Sequence, residues 1–346
     1  MAPPTLEAQL RAAVALSALT RLPLLDGVVR RATAEPEVVD APVGGVPALV
    51  VRPGRGRDAP ALVLLNGVTK EGRQHPQVRG LALALARAGF LLCVPDPEGL
   101  ARGPFARATL DGTAAVIEAL ASRPDVRGGR VALVGVSIGA TLALLAAEET
   151  QLAGRISVVA GIAPHVDFPS GLRLATTGDA PPFFSLVLAR SLLAALPPGT
   201  EADALLARLD AVADDDPAPL AVLAGEHRDA SVAAVVRLLL NRDPALFDVL
   251  YDDLPDELQL GLDGLSPLAG AERLRCRVEL AVGADDPYVP LVQLEALARA
   301  ATHARVRLTV TSALEHAVPK LSLRRPAELA RFDGWMVRSL RAAAEP

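Results

Sequence analysis

Cysteine and lysine are nearly missing from this chain of 346 residues: each occurs twice, as Cys93 and Cys276 and as Lys70 and Lys320, against 33 arginines. Both cysteines sit beside apolar runs, with neither a Cys-x-x-Cys nor a Cys/His spacing. That excludes a disulfide framework and a zinc cage and leaves two buried thiols. The acidic clusters Asp214-Asp215-Asp216 and Asp252-Asp253 read as solvated helix ends, so no metal is expected. No block of five like charges occurs, and a net charge of -5 offers no basic stripe, which excludes nucleic acid as a partner. Nor does any apolar run approach the ~18 residues that would span a bilayer. The first twenty residues lack a basic stretch ahead of their apolar ones and are broken by Glu7 and Arg11, so a secretory signal is not expected and the cytoplasm is the expected compartment.

What is present is enough apolar material for a large core: 51% hydrophobic and 22% charged residues mark an ordered chain of one big domain or two ordinary ones. Leu6, Leu10, Val14 and Ala18 recur at helical spacing and predict an amphipathic helix within an N-terminal segment of residues 1–35, packed on its own protein by that stripe. From residue 36 two extended segments joined by Gly44-Gly45 predict a β-hairpin. Short apolar runs of buried strands follow at Ala61–Leu65, Phe90–Pro95, Arg130–Val134, Arg155–Ala160, Arg277–Val282 and Val306–Val310. Helical stretches alternate with them at Gln77–Ala88, Asp111–Ser122, Ile138–Thr150, Leu291–Thr302 and Pro326–Ala343, and Gly89 and Gly128-Gly129 read as stops before the next strand. Such alternation predicts an α/β fold with a mostly parallel central sheet and helices on both faces. Between about 166 and 270 the alternation gives way to helical periodicity, with helices expected at Phe184–Leu196, Glu201–Ala213, Ala230–Asn241 and Pro244–Leu254. This reads as an insertion into a core of residues 36–165 and 271–346.

The chemistry-bearing segment is Arg130–Ala147, a buried strand, then Gly135-Val136-Ser137-Ile138-Gly139, then a helix of small apolar residues. With 27 glycines and 12 serines, a Gly-x-Ser-x-Gly arises by chance about 0.07 times in a chain of this length, and its place between strand and helix is more selective still. The strand-to-helix turn is so sharp that side chains two before and two after the serine would clash, and it lifts the hydroxyl above the sheet edge. Ser137 is thus the candidate nucleophile. It needs a base within hydrogen-bond reach and an acid to orient that base. The strand at Arg277–Val282 runs into a loop carrying Asp285 and Asp286, and the strand at Val306–Val310 into one carrying His316, on the sheet edge where ligands bind. His303 precedes that last strand and is expected at the opposite edge. His165 and Asp167 follow the sixth strand and are placed to line the site, with Asp167 a rival for the acid. His75 reads as a surface or cap contact, and Asp96 and Glu98 as turn formers.

In motifs and their order the chain resembles the α/β-hydrolase superfamily over about residues 36–165 and 262–341. That family's acid loop commonly reads Gly-x-x-Asp-x-x-Val-Pro, matched here by Gly283, Asp286, Val289 and Pro290, and the resemblance selects Asp286 as the acid, His316 as the base and Ser137 as the nucleophile. Leu265-Ser266-Pro267-Leu268 is similar to the family's approach to the acid strand. The resemblance also implies that the helical insertion of residues 166–270 is a cap, that no cofactor is used, and that the reaction is hydrolysis of an ester or related acyl bond. Oxyanion donors are expected from the backbone N–H groups of Ile138 and Val68. Family members often carry His-Gly where this chain has Asn66-Gly67, a departure that leaves a backbone donor intact and gives Asn66 the role of ordering the loop.

The leading expectation is a carboxylesterase-like serine hydrolase acting on a small-molecule ester, with an apolar moiety suggested by Phe168, Phe183, Phe184 and Phe247 in the insertion. Acyl transfer, thioester cleavage or peptide hydrolysis would use the same three residues. A non-catalytic ligand-binding protein on the same fold would have no use for all three. Self-association is left open by the sequence.

Overall fold

The computed structural model describes residues 6–345 except 21–26, 28, 30, 57, 70, 178–179, 181, 214–215, 217, 317 and 321–324, so Asp214 and Asp215 lie outside the described residues. Eight strands build one sheet: β1 Glu37–Asp40, β2 Ala48–Arg52, β3 Ala59–Leu65, β4 Leu91–Pro95, β5 Val126–Val136, β6 Ile156–Ile162, β7 Arg277–Gly283 and β8 Val306–Thr311. Their order across the sheet is β1-β2-β4-β3-β5-β6-β7-β8. β2 runs antiparallel to both β1 and β4, and every pairing from β4 to β8 is parallel. The expected hairpin turns at Val43-Gly44-Gly45-Val46, where the two glycines take φ of 58° and 82°, as the tight two-residue turn requires.

β3, β4 and β6 are buried at every position because helices cover both faces, which is why they read as unbroken apolar runs. The core helices are α1 Leu6–Thr20, α2 Pro76–Arg87, α3 Arg107–Ala121 and α4 Ile138–Glu148. The chain then passes through α5 Phe168–Thr177, α6 Pro182–Ala194, α7 Thr200–Asp210, α8 Ala230–Leu240, α9 Phe247–Asp252, α10 Asp256–Asp263 and α11 Pro267–Gly270 before returning to the sheet. α12 Leu291–Ala300 and α13 Pro326–Ala344 complete the fold. α2 starts on Pro76 and ends in a glycine cap, with Gly89 at φ 93° and the Phe90 N–H donating back to Leu85 at 3.1 Å. The two ends of the α5–α11 segment lie side by side: Phe168 N–H donates to Ser266 Oγ at 2.9 Å and Leu268 N–H to the Val166 carbonyl at 2.8 Å.

Three expectations need correction. Gly128 and Gly129 do not stop a helix, since α3 ends at Ala121 and both glycines sit inside β5 with φ of 65° and 60°. Their left-handed backbone makes a bulge, and the β3 register jumps from Ala59 opposite Val126 to Ala61 opposite Val131. α1 forms, but its buried face is Ala8, Ala12 and Ala15, packed on α2 and α13, while Leu6 and Leu10 are 72% and 59% exposed. Small residues let the three helices approach closely, whereas leucines on that face would hold them apart; the side chain of Ala18 lies outside the described residues. The helix expected over Pro244–Leu254 is a 3₁₀ turn at Pro244–Leu246 followed by the short α9, and α5 and α10 were not expected. Among the described residues no helix is long and apolar enough to cross a membrane.

Candidate active site

The sharpest backbone feature lies where β5 meets α4. Ser137 adopts φ 52° and ψ -124°, a strained conformation for a residue with a side chain, of order 1–3 kcal/mol. It is held by its N–H donating to Ile162 at 2.8 Å and by its carbonyl accepting from Ala140 at 2.8 Å. The flanking glycines are sterically required: a Cβ on Gly135 would lie 2.4 Å from Ala140 Cα, and one on Gly139 2.2 Å from the Leu65 carbonyl oxygen. Helix α4 can therefore dock on β3 and β5 only with bare backbone at both positions.

Two loops at the same sheet edge bring up the partners. His316 sits in the turn between two short paired strands, β9 Leu314–Glu315 and β10 Val318–Pro319, with φ 46°. Its Nε2 lies 3.1 Å from Ser137 Oγ, and its Nδ1 lies 3.1 and 3.2 Å from the Asp286 carboxylate oxygens. An ionised carboxylate only accepts, so Nδ1 carries the proton and Nε2 is left to accept from the serine hydroxyl. The Asp286 side chain is completely buried. Burial alone would raise its carboxyl, but hydrogen bonds from His316 and from the N–H groups of Tyr288 and Val289, at 2.9 and 3.1 Å, outweigh that and hold it below the usual range.

The other candidates fall apart from this relay. Asp285 is exposed beside it, and His303 is exposed between α12 and β8, at the opposite edge from Ser137. The Asp167 carboxylate accepts from the Ser170 hydroxyl at the start of α5, not from His316. His165 does line the site, stacked on Phe184 at 5.2 Å and 6.1 Å from the His316 ring. Burial and the nearby His316 push it down to about 4, so it stands neutral beside the His316 ring. Tyr288, to which the sequence attached no role, presents its ring edge-on to His316 at 5.0 Å.

Opposite the relay, the loop after β3 reaches Ser137: a Cβ on Gly67 would come within 3.6 Å of Ser137 Cβ. Ile138 occupies the first position of α4, where an N–H has no intrahelical partner. Asn66 donates to the Gly67 carbonyl at 2.8 Å and bonds Thr69 Oγ1 at 3.4 Å, folding the loop on itself. A network missed in the sequence clamps the far side of that loop. Arg73 donates through its backbone N–H and guanidinium to Asp96 at the end of β4, at 2.8 and 2.5 Å, and to Asp40 at 3.1 Å. Gln74 adds a second bond to Asp40 at 2.8 Å. Only the position of Asp96 just past a strand end hinted at this; the turn role expected of it was too narrow.

Ser137 and His316 open onto a cavity of about 1140 Å3, to which Phe168, Phe183, Phe184 and Val187 contribute from α5 and α6. Among the described residues no cluster of histidine, cysteine or carboxylate groups is arranged to hold a metal ion.

Neither a protein-family model nor a curated protein matches the chain. Solved structures do. The acylaminoacyl peptidase of Pyrococcus horikoshii superposes with a TM-score of 0.55 at 12% identity over 93% of this chain and 44% of that one. Porphyromonas gingivalis dipeptidyl peptidase 4 gives 0.52 at 14% identity over 88% of this chain and 35% of that one. DcsB, solved with its substrate analogue, gives 0.50 at 14% identity over 88% and 99%. The chain thus spans less than half the length of the two peptidases. At these identities the likeness is one of fold.

Proposed function

We propose that this chain, which has the α/β-hydrolase fold, is a serine hydrolase that cleaves a carboxylic ester through an acyl-enzyme on Ser137, with His316 as base and Asp286 as its orienting acid. The observation that carries the proposal is the unbroken relay from Ser137 Oγ through the His316 ring to a buried, ionised Asp286 at the mouth of an apolar cavity. In this reading His316 Nε2 takes the proton as Oγ attacks the ester carbonyl. The oxyanion is met by the backbone N–H groups of Ile138 and Val68, an interaction worth ~2.7–4 kcal/mol per donor in comparable sites. His316, now an imidazolium stabilised by Asp286, hands its proton to the departing alcohol. Water then enters along the same path, gives its proton to His316 and releases the acid.

The test is turnover of p-nitrophenyl esters by the wild-type chain and by Ser137→Ala. Hydrolysis that disappears in the variant supports the proposal. Equal rates in the two would remove Ser137 as the nucleophile, and no hydrolysis by the wild-type chain would move it into the class of binding proteins.

A further inference from the structure

The cavity below Ser137 continues where such sheets are normally sealed by helix packing. Its inner wall is one face of the central strands: Leu64 of β3, Val134 and Val136 of β5, Ala160 and Ile162 of β6, residues in register with one another. Its outer wall is formed by α2 and α13, with Ala15 of α1 also lining it. Val134 and Val136 sit on the central strand of an eight-stranded sheet and yet are only half-buried, because the helices opposite do not fill the space in front of them. Close-packed interiors leave no such gap in front of a central strand, and the whole cavity, mouth included, at about 1140 Å3 exceeds the range of ordinary drug-sized sites. The α13 side chains along it run from Phe332 to Leu340, eight residue steps or about 12 Å of helix.

The walls restrict what fits. The strand backbones lining it are paired on both sides within the sheet and the helices satisfy their own, so an extended peptide would find no ladder to join and would bury unpaired amides. The side chains along the bore are mainly aliphatic and aromatic, and the charged Arg87–Glu35 pair comes only at its far end.

Resting on the serine-hydrolase reading, we infer that the acyl moiety of the substrate is a long unbranched alkyl chain. Its carboxyl carbon lies at Ser137 and its tail runs down between the sheet face and α2 and α13, away from the α5–α11 segment. The site of the tail is thus the protein core and the leaving alcohol faces the mouth.

Two measurements on the full chain test this. The first is kcat/KM over p-nitrophenyl esters from acetate to palmitate. It should climb about fourfold per added methylene until the bore is full and then level off. Ala84→Phe, which puts a ring into the bore from α2, should cut the ratio of laurate to butyrate turnover at least tenfold and move the optimum to shorter esters. The second is direct binding of cis-parinaric acid to Ser137→Ala, which needs no turnover; binding is expected, and its loss in Ser137→Ala/Ala84→Phe. Robust hydrolysis that peaks at acetate or butyrate, with no parinaric acid bound, overturns the alkyl tunnel and leaves the hydrolase. Parinaric acid binding that Ala84→Phe abolishes, with no ester hydrolysed, overturns the hydrolase and supports the tunnel.

Discussion

Replacing Asp286 by Asn is the most informative single perturbation of the relay, because the loop around it dictates which way the new amide must point. Asp286 Oδ1 accepts from the N–H groups of Tyr288 and Val289 at 2.9 and 3.1 Å, so an asparagine keeps its carbonyl oxygen there and turns its NH2 group toward His316 Nδ1. Nδ1 must then accept, the imidazole proton moves to Nε2, and Nε2 can no longer take the proton of Ser137 across the 3.1 Å that separates them. The shape of the site is preserved while the proposed base is disabled. The expected loss in kcat is on the order of 10⁴-fold, about 5 kcal/mol of transition-state stabilisation, with KM little changed. Steady-state hydrolysis of a p-nitrophenyl ester, with circular dichroism to establish that the variant is folded, measures it. Asp285→Asn, at the exposed neighbour, is the control and should keep its rate. A loss of less than tenfold at Asp286, or equal losses at both positions, would refute the argument.

Two further perturbations bear on the surroundings of the relay. Arg73→Leu releases the loop after β3 from Asp96 and Asp40; kcat should fall about tenfold, short of the 10²–10³ that outright loss of an oxyanion donor costs, and steady-state kinetics would detect it. Glu148, buried at the end of α4 beside Arg273, has its carboxyl pushed by burial from 4.5 up to about 8, so the folded protein holds a proton there that the unfolded chain releases. Stability should therefore decline as pH rises across that interval, by roughly 3 kcal/mol between pH 5 and 8, and Glu148→Gln should flatten the urea-denaturation profile. A wild-type profile that is already flat would mean that Glu148 is ionised and paired in the fold.

The middle of the sheet was legible because β3, β4 and β6 are covered on both faces: a strand such as β3 must be apolar at every position, and its run of Ala61–Leu65 lies inside the observed Ala59–Leu65. The elbow was legible for a steric reason, the two glycines that the close approach of α4 to β3 requires. The loops bearing Asp286 and His316 followed from where their strands end. What escaped were features set by long-range packing. The alanine face of α1 could be told from its leucine face only once α2 and α13 were in place, because close helix contact favours the smaller stripe. The bulge at Gly128-Gly129 depends on pairing with β3, and the Arg73–Asp96–Asp40 clamp joins positions 23 and 33 residues apart along the chain. The cavity behind Val134 was invisible for the same reason: an apolar strand reads alike whether a helix or an open bore lies against it.

The most direct test of the central claim is labelling of the native chain with a fluorophosphonate probe, followed by peptide mass spectrometry to locate the modified residue. An activated Ser137 predicts a single adduct on that serine, absent after heat denaturation and absent in His316→Ala. No adduct on folded protein, or one on another residue, would contradict it.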